Sequence, residues 1–398
     1  MEELLDAAAA EFNASGVSGA SLSQIARRVG LTRAAIYYYV ESREDLAFRC
    51  YRRQCEATAA DLAGARKAAK GLARVHAFIE RTLEPSRAPA VFLSEVACLA
   101  PAQRAEIEGA HGKNLETLQR FVRGGMADGS VRECDPELIA HAIFGMVSWA
   151  PLAEEWSSGG ESVRRHAAEA IADLITNGVA ADPDYPFACS LDVDSLASRP
   201  GNLFDRETAA AQKVGLLVKA ASRLFNRRGI DGTSLDQLTQ ELGATKGAFY
   251  HHIESKDTLV VECHRRQLDL SEKIADAAAK AGKNGLERAL FGLHLLTQAF
   301  AGDDAPLSPL TGIEALPAKA RVALQKRAAG LGARYTQFNR EGIRDGSYRK
   351  FDVRTLAVTG AGAFAWIPHW RTGDDPRTPR QIADEMTALF VRGIRRRA

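Results

Sequence analysis

Six cysteines, at positions 50, 55, 98, 134, 189 and 263 of 398, form no CxxC pair and no metal-finger spacing. Zinc-finger classes are thereby excluded, and reduced thiols are the simplest reading. No apolar run approaches the roughly eighteen residues that a membrane-spanning helix needs. The opening stretch MEELLDAAAAEF is acidic and helix-forming, without the basic and apolar zones of a secretion signal. A cytoplasmic, soluble protein with no membrane association is expected. Nor is there a GxxxxGK[ST], HExxH or GxSxG motif. No enzyme and no cofactor are therefore expected. Charge of one sign is missing too: 52 Lys and Arg against 50 Asp and Glu leave a formal net charge of +2. Any contact with nucleic acid must then come from local patches and not from a global field.

What is present is the same text written twice. Sliding the chain by 213 positions aligns residues 12–54 with 225–267. Identities fall at Phe12/Phe225, Asn13/Asn226, Gly16/Gly229, Ser21/Ser234, Gln24/Gln237, Gly30/Gly243, Thr32/Thr245, Tyr37/Tyr250 and Ser42/Ser255. Further on, DGSVRECD at 128–135 recurs as DGSYRKFD at 345–352, and WAPLAEEW at 149–156 answers WIPHW at 366–370. So long a period is a duplicated domain pair, not a solenoid. Residues 181–202, ADPDYPFACSLDVDSLASRPGN, are rich in proline and aspartate and lack helical periodicity. They read as a linker, long enough to span about 70 Å at roughly 3.3 Å per residue.

Each copy opens with a helical pattern. Leu4, Leu5, Ala8 and Phe12 share one face, and Gly16 ends it. Ser21 with Gln24, and Ser234 with Gln237, have the spacing of a capping box at the next helix. Gly30 or Gly243 breaks that helix with a tight turn, and Thr32 or Thr245 stands where a cap for a short third helix belongs. Two short helices joined by a glycine turn, the second carrying basic and polar residues, form a unit that reads DNA in the major groove. The serine and basic residue that open the following helix, Ser42-Arg43 and Ser255-Lys256, suit a phosphate oxygen.

GLTRAAIYYYVESREDL (30–46) and GATKGAFYHHIESKDTL (243–259) together resemble the tetracycline-repressor (TetR) family of one-component bacterial regulators. The second copy follows the family motif closely. The first departs at Ala34, Tyr38, Tyr39, Val40 and Arg43, which bears on base preference. The resemblance implies an all-α fold of two tandem units packed as an intramolecular pseudo-dimer. Expected boundaries are 1–48 and 206–261 for the DNA-binding domains, 49–180 and 262–398 for the helical effector and dimerisation domains, and 181–205 for the linker. The expected partner is a double-stranded operator, bound through Ser23, Gln24, Thr32, Arg33, Ala34, Tyr37, Tyr38 and Arg43 in the first copy. In the second copy Gln237, Thr245, Lys246, Gly247, Tyr250, His251 and Lys256 take that role.

The family's sensor domain encloses an effector pocket. Late aromatics are the candidate lining: Phe78, Phe121, Phe144, Trp149 and Trp156 in the first half, Phe291, Phe338, Phe364, Trp366 and Trp370 in the second. IFGMVSWAPLAEEW at 143–156 is similar to the equivalent helix of acyl-CoA-responsive members. A small apolar effector follows, an acyl-CoA or another lipid-like or aromatic compound. His76, His294 and His369 read as core or partly exposed histidines, not metal ligands. The function implied is a ligand-responsive repressor reading an imperfect inverted repeat. Its alternative is a ligand-binding or protein-interaction module whose helix-turn-helix domains no longer read DNA. Covalent fusion supplies both halves of the usual dimer, so the chain is able to act as a monomer.

Overall fold

A computed structural model describes residues 1–85, 87, 90–156, 161–196, 206–230, 232–241, 253–309, 312–313, 316–371 and 373–397. The first head comprises α1 (Glu2–Gly19), α2 (Leu22–Arg28) and α3 (Arg33–Ile36). Its core is the predicted apolar stripe: Leu4, Leu5, Ala8 and Phe12 pack on Ile25, Ala26, Ile36 and Val40. The first sensor domain follows as α4 (Arg43–Ala65), α5 (Gly71–Thr82), α6 (Pro101–Ala127), α7 (Pro136–Trp156) and α8 (Glu161–Asn177). The second half repeats the order with α9 (Arg206–Arg228), α10 (Leu235–Glu241), α11 (Lys256–Ala281), α12 (Gly285–Ala301) and α13 (Ala318–Asp345). Where the first half has the single helix α7, the second has α14 (Val353–Thr359), α15 (Gly362–Ala365) and α16 (Ile367–Trp370), before α17 (Pro379–Arg392) closes the domain. Glycines at 360 and 362 lower helix propensity at the first break.

The halves pack as a pseudo-dimer. One continuous core holds Ile139, Ile143, Ile171, Leu174 and Ile175 of the first half together with Ala363, Ile367, Ile382, Met386 and Leu389 of the second. At its centre α7 crosses α15 so tightly that a Cβ added to Gly145 would lie 2.2 Å from the Gly362 carbonyl oxygen. Reciprocally, a Cβ on Gly362 would lie 2.4 Å from the Gly145 oxygen. These two glycines are equivalent positions of the repeat, so the local two-fold passes between them, as in an isologous dimer interface.

The C-terminal ends of α8 and α17 are exchanged in the same symmetric way. Arg132 Nε donates to the Gly393 carbonyl at 2.7 Å, and its counterpart Arg349 Nε donates to the Gly178 carbonyl at 2.7 Å. Isolated bridges pair Val131 with Arg395 and Ala180 with Tyr348.

One departure from the sequence reading concerns the connection. Residues 181–196 are not a free extended linker but a strap laid on the second half. Tyr185 Oη donates to Glu287 at 2.8 Å, Phe187 packs edge-on to Phe291 at 5.1 Å, and the Cys189 carbonyl accepts from Arg380 at 2.7 Å. The reason lies in α12, which is buried continuously from Leu290 to Ala301 and half-buried at 287–289. An all-round apolar helix needs cover on its outer face, and the strap supplies it. Residues 197–205 lie outside the described set.

His141 of α7 stacks on Trp370 of the other half at 4.0 Å, and His369 stacks on Trp366 at 4.1 Å. Burial pushes His141 down to about 3 and His369 down to about 4. Both rings therefore stay neutral in the folded chain while the unfolded chain takes up protons near pH 6.5. Such groups contribute stability above the unfolded value and lose it as pH falls toward the folded one. The urea midpoint is accordingly expected to drop between pH 7 and pH 5. An equal midpoint at both would show that the stacked rings protonate freely in place.

Candidate nucleic-acid interface

Local chemistry builds the first reading head. The Ser21 hydroxyl accepts from the Gln24 amide at 3.3 Å and opens α2. Gly30 follows at φ +70, a left-handed turn that a Cβ would strain. The Thr32 hydroxyl accepts from the Ala35 amide at 3.1 Å and starts α3. Ile36 and Val40 point into the core, so the remaining face of this segment turns outward. Thr32, Arg33 and Ala34 are exposed there, with Tyr37 49% and Tyr38 88% accessible. Tyr39, at 38%, leans edge-on against Tyr38 at 5.4 Å. A tyrosine left almost wholly in water costs apolar exposure that a packing role does not explain.

On the flanks, Gln24 is exposed and Ser23 half-buried. The Ser42 hydroxyl accepts from the Asp45 amide at 3.0 Å and caps α4. Arg43, the next residue, is paired with Glu44 at 3.3 Å, so its charge is partly neutralised within the chain. Arg27 is a candidate that the motif alone does not mark. It is exposed at the end of α2, with Nε donating to the Ser23 carbonyl at 3.3 Å. The helical period could have found it, since Ile25 and Ala26 take the buried face and leave Arg27 opposite.

In the second head the capping box at α10 is complete in both directions. Ser234 accepts from the Gln237 amide at 3.2 Å, and Gln237 Oε1 accepts from the Ser234 amide at 2.8 Å. The Gln237 carboxamide oxygen is thus occupied by the cap, which leaves its amino group for any other contact. Ser255 caps α11 by accepting from the Thr258 amide at 3.1 Å, and Lys256 is its first residue. Thr245, Lys246, Gly247, Tyr250 and His251 lie outside the described residues.

Behind the first head is a cavity of about 200 Å³. Its floor is α4, through Arg53, Gln54, Ala57 and Thr58, and its walls include His111, Phe92 and Phe144. Trp366 of the second half also lines it. Of the ten aromatics expected around an effector, Phe144 and Trp366 border this space. Phe78 and Phe121 are fully packed core, with Phe78 backing Phe144 at 5.5 Å. Trp149 abuts Gly362 at the crossing of the halves, and Trp370 is stacked on His141. Phe291 meets the strap, Phe338 packs on Tyr335 at 5.7 Å, and Phe364 packs on Phe300 at 5.9 Å. The Trp156 side chain lies outside the description. Only packing decides which rings face a void. His76 bonds Thr176, and His294 is buried between Asp384 and Gln298. Among the described residues no cluster has the make-up of a metal site.

Comparison with known proteins places both copies. The family model for bacterial regulatory proteins of the tetR family matches residues 4–50 and again 217–263. The model for the tetracyclin repressor-like C-terminal domain matches residues 72–179 and 294–394. The TetC protein of transposon Tn10 from Escherichia coli is 40% identical over 52 residues, 13% of this chain and 26% of that protein. The chain therefore spans about a quarter of that relative. The HTH-type transcriptional repressor KstR2 of Rhodococcus jostii is 27% identical over 187 residues, 45% of this chain and 89% of that one. Among solved structures, the TetR family regulator PfmR from Thermus thermophilus aligns at TM-score 0.40 and 23% identity, covering 44% of this chain and 97% of that one. With two N-terminal and two C-terminal family domains in one polypeptide, the chain belongs to the tetracycline-repressor family of regulatory proteins.

Proposed function

We propose that this chain is a ligand-responsive, DNA-binding transcriptional repressor whose two unlike reading heads bind an imperfect inverted repeat from a single polypeptide. The observation that carries the reading is the outward face of α3. Arg33 and Tyr38 are held in water by a capped, glycine-turned helix whose other side is core. Symmetric packing of the halves supports a two-fold operator, because a pseudo-dimer presents its heads to successive major grooves about 34–36 Å apart. The role is regulatory and not catalytic, in the cytoplasm, and a single chain suffices. Among the described residues no helix is long and apolar enough to cross a membrane.

The proposed effector is small and apolar or aromatic and occupies the cavity against Phe92, Phe144 and Trp366. Its lining argues against an acyl-CoA, whose phosphates call for free cations. Arg53 is engaged by Glu2 and Asp6, and Arg87 by Asp61. The helix that floors the cavity is α4, and its first turn stands beside the reading head at Ser42. Filling the cavity tilts this rod and changes how the heads meet the grooves.

A mobility-shift titration with DNA selected from a random pool tests the reading. Binding should weaken steeply with salt, and Arg43→Ala and Lys256→Ala should each shallow the log–log salt slope by about one unit. A chain that selects no sequence, or whose binding ignores salt, is instead an interaction module that no longer reads DNA.

A further inference from the structure

We propose that this chain carries one effector site, not two, and that a single neutral aromatic ligand in it acts on both reading heads at once. The inference rests on the regulatory reading above and extends it to stoichiometry, ligand class and route.

The asymmetry begins with side chains. Ala57 on the cavity floor corresponds to Leu270 in the second half, and Val147 on its wall corresponds to Phe364. Leu270 and Phe364 pack against the central core, and Phe364 meets Phe300 at 5.9 Å. These two larger side chains occupy part of the space that the first half leaves open at the same positions. A second space among the described residues, between α8 and α14 at Leu174 and Leu356, holds only about 10 Å³, smaller than one water molecule's share, and lies away from the equivalent position.

Ligand class follows from the walls. Three aromatic rings favour a flat partner. Both nearby guanidiniums are matched by carboxylates, so a net anionic ligand gains little there. His111 lines the cavity with the Phe144 ring 5.5 Å away and His141 nearby and, among the described residues, makes no hydrogen bond. Burial lowers its pKa. A neutral imidazole with a free nitrogen matches a hydroxyl, which donates or accepts as required. A neutral, hydroxylated aromatic compound fits these demands.

The route to both heads is short and starts at one pair of rings. Phe92 of the first half lies 4.2 Å from Trp366 of the second, and both border the cavity. The Phe92 amide donates to Asn13 Oδ1 on α1 at 2.9 Å, and the Asn13 amide group holds the Ala90 carbonyl at 2.7 Å. Trp366 stacks on His369, whose helix α16 packs on α9 and whose ring faces the backbone of Asn226 there. Asn13 and Asn226 are equivalent positions of the repeat, one in each head.

Three residues beyond Phe92, the same loop reaches both heads again. Buried Glu95 accepts from the Val17 amide at 2.7 Å. A Cβ on Gly16 would stand 2.9 Å from its Oε1, and one on Gly229 would stand 2.6 Å from its Cγ. This side chain is wedged between equivalent left-handed glycines: Gly16, which kinks α1 before its last residues where the sequence reading ends the helix, and Gly229, which follows α9. A ligand that moves Phe92 moves both heads, because packed contacts shift together and do not deform continuously.

Titration of the full chain with 2-naphthol, read by its fluorescence, is expected to saturate at one equivalent per chain. Amide exchange should then slow both at residues 13–19 and at 222–230. Ala57→Leu, which installs the second half's residue, and independently Ser148→Leu are each expected to weaken binding about ten-fold, the overpacking range. Two equivalents per chain, an exchange response confined to the first head, or no binding by the unmodified protein would each overturn the proposal. None of these readouts uses DNA, so a failed mobility shift is told apart from a failure here.

Discussion

Alanine at Gly145 is expected to destabilise the chain by about 3 kcal/mol or more, the upper range for overpacking against an unyielding neighbour. The added Cβ would meet a backbone oxygen, Gly362 O, at 2.2 Å, and no rotamer change relieves such a clash. Only separation of α7 from α15 does so. That movement would open the shared core around Ile143 and Ala363, both buried. Urea unfolding should show a lower midpoint, and a dye for exposed apolar surface should bind before the main transition. Gly215→Ala on α9 is the control, since a Cβ there meets nothing within 4 Å. That change should be neutral or stabilising by up to about 1 kcal/mol through helix propensity. If Gly145→Ala unfolds like the native protein, the crossing adapts freely and the pseudo-dimer does not depend on it.

Arg33→Ala is expected to relax sequence preference in one half of the operator only, at a cost of about 1–3 kcal/mol if the guanidinium makes a bidentate contact to guanine. Arginine is a rigid fork, whereas the corresponding Lys246 is a mobile point charge, so the two half-sites should differ in the unmodified protein as well. Sites selected by the native chain should come out as imperfect inverted repeats. Sites selected by the variant should keep one half sharp and lose definition in the other. Perfect palindromes from the native chain would mean that Arg33-Ala34 and Lys246-Gly247 read alike, and the divergence of the copies would need another cause.

Much of this was legible from residues alone. The repeat, the all-helical class, the caps at Ser21, Thr32, Ser42, Ser234 and Ser255, and the turn at Gly30 rest on interactions within about four residues of chain. The apolar stripe of α1 and the buried Ile36 and Val40 follow from the same short periods. Such features depend on hydrogen bonds and side-chain faces that each helix sets by itself. The outward aromatics at Tyr37 and Tyr38 were identifiable for the same reason.

What tertiary structure decided lies between segments far apart in the chain. Nothing local distinguishes Trp366, which borders the cavity of the other half, from Trp149, which sits at the crossing. Residues 181–196 read as solvated linker because their composition is polar and proline-rich, yet the unpartnered face of α12 draws Tyr185 and Phe187 down onto it. Among the described residues the cavity opens in the first half, where Ala57 stands in place of Leu270, a difference without meaning until α7 and α15 bring Trp366 over it. Local hydrogen bonding and periodicity determine which segments are helices and which faces are apolar. Where those faces meet, and where they leave a gap, depends on close packing among segments hundreds of residues apart.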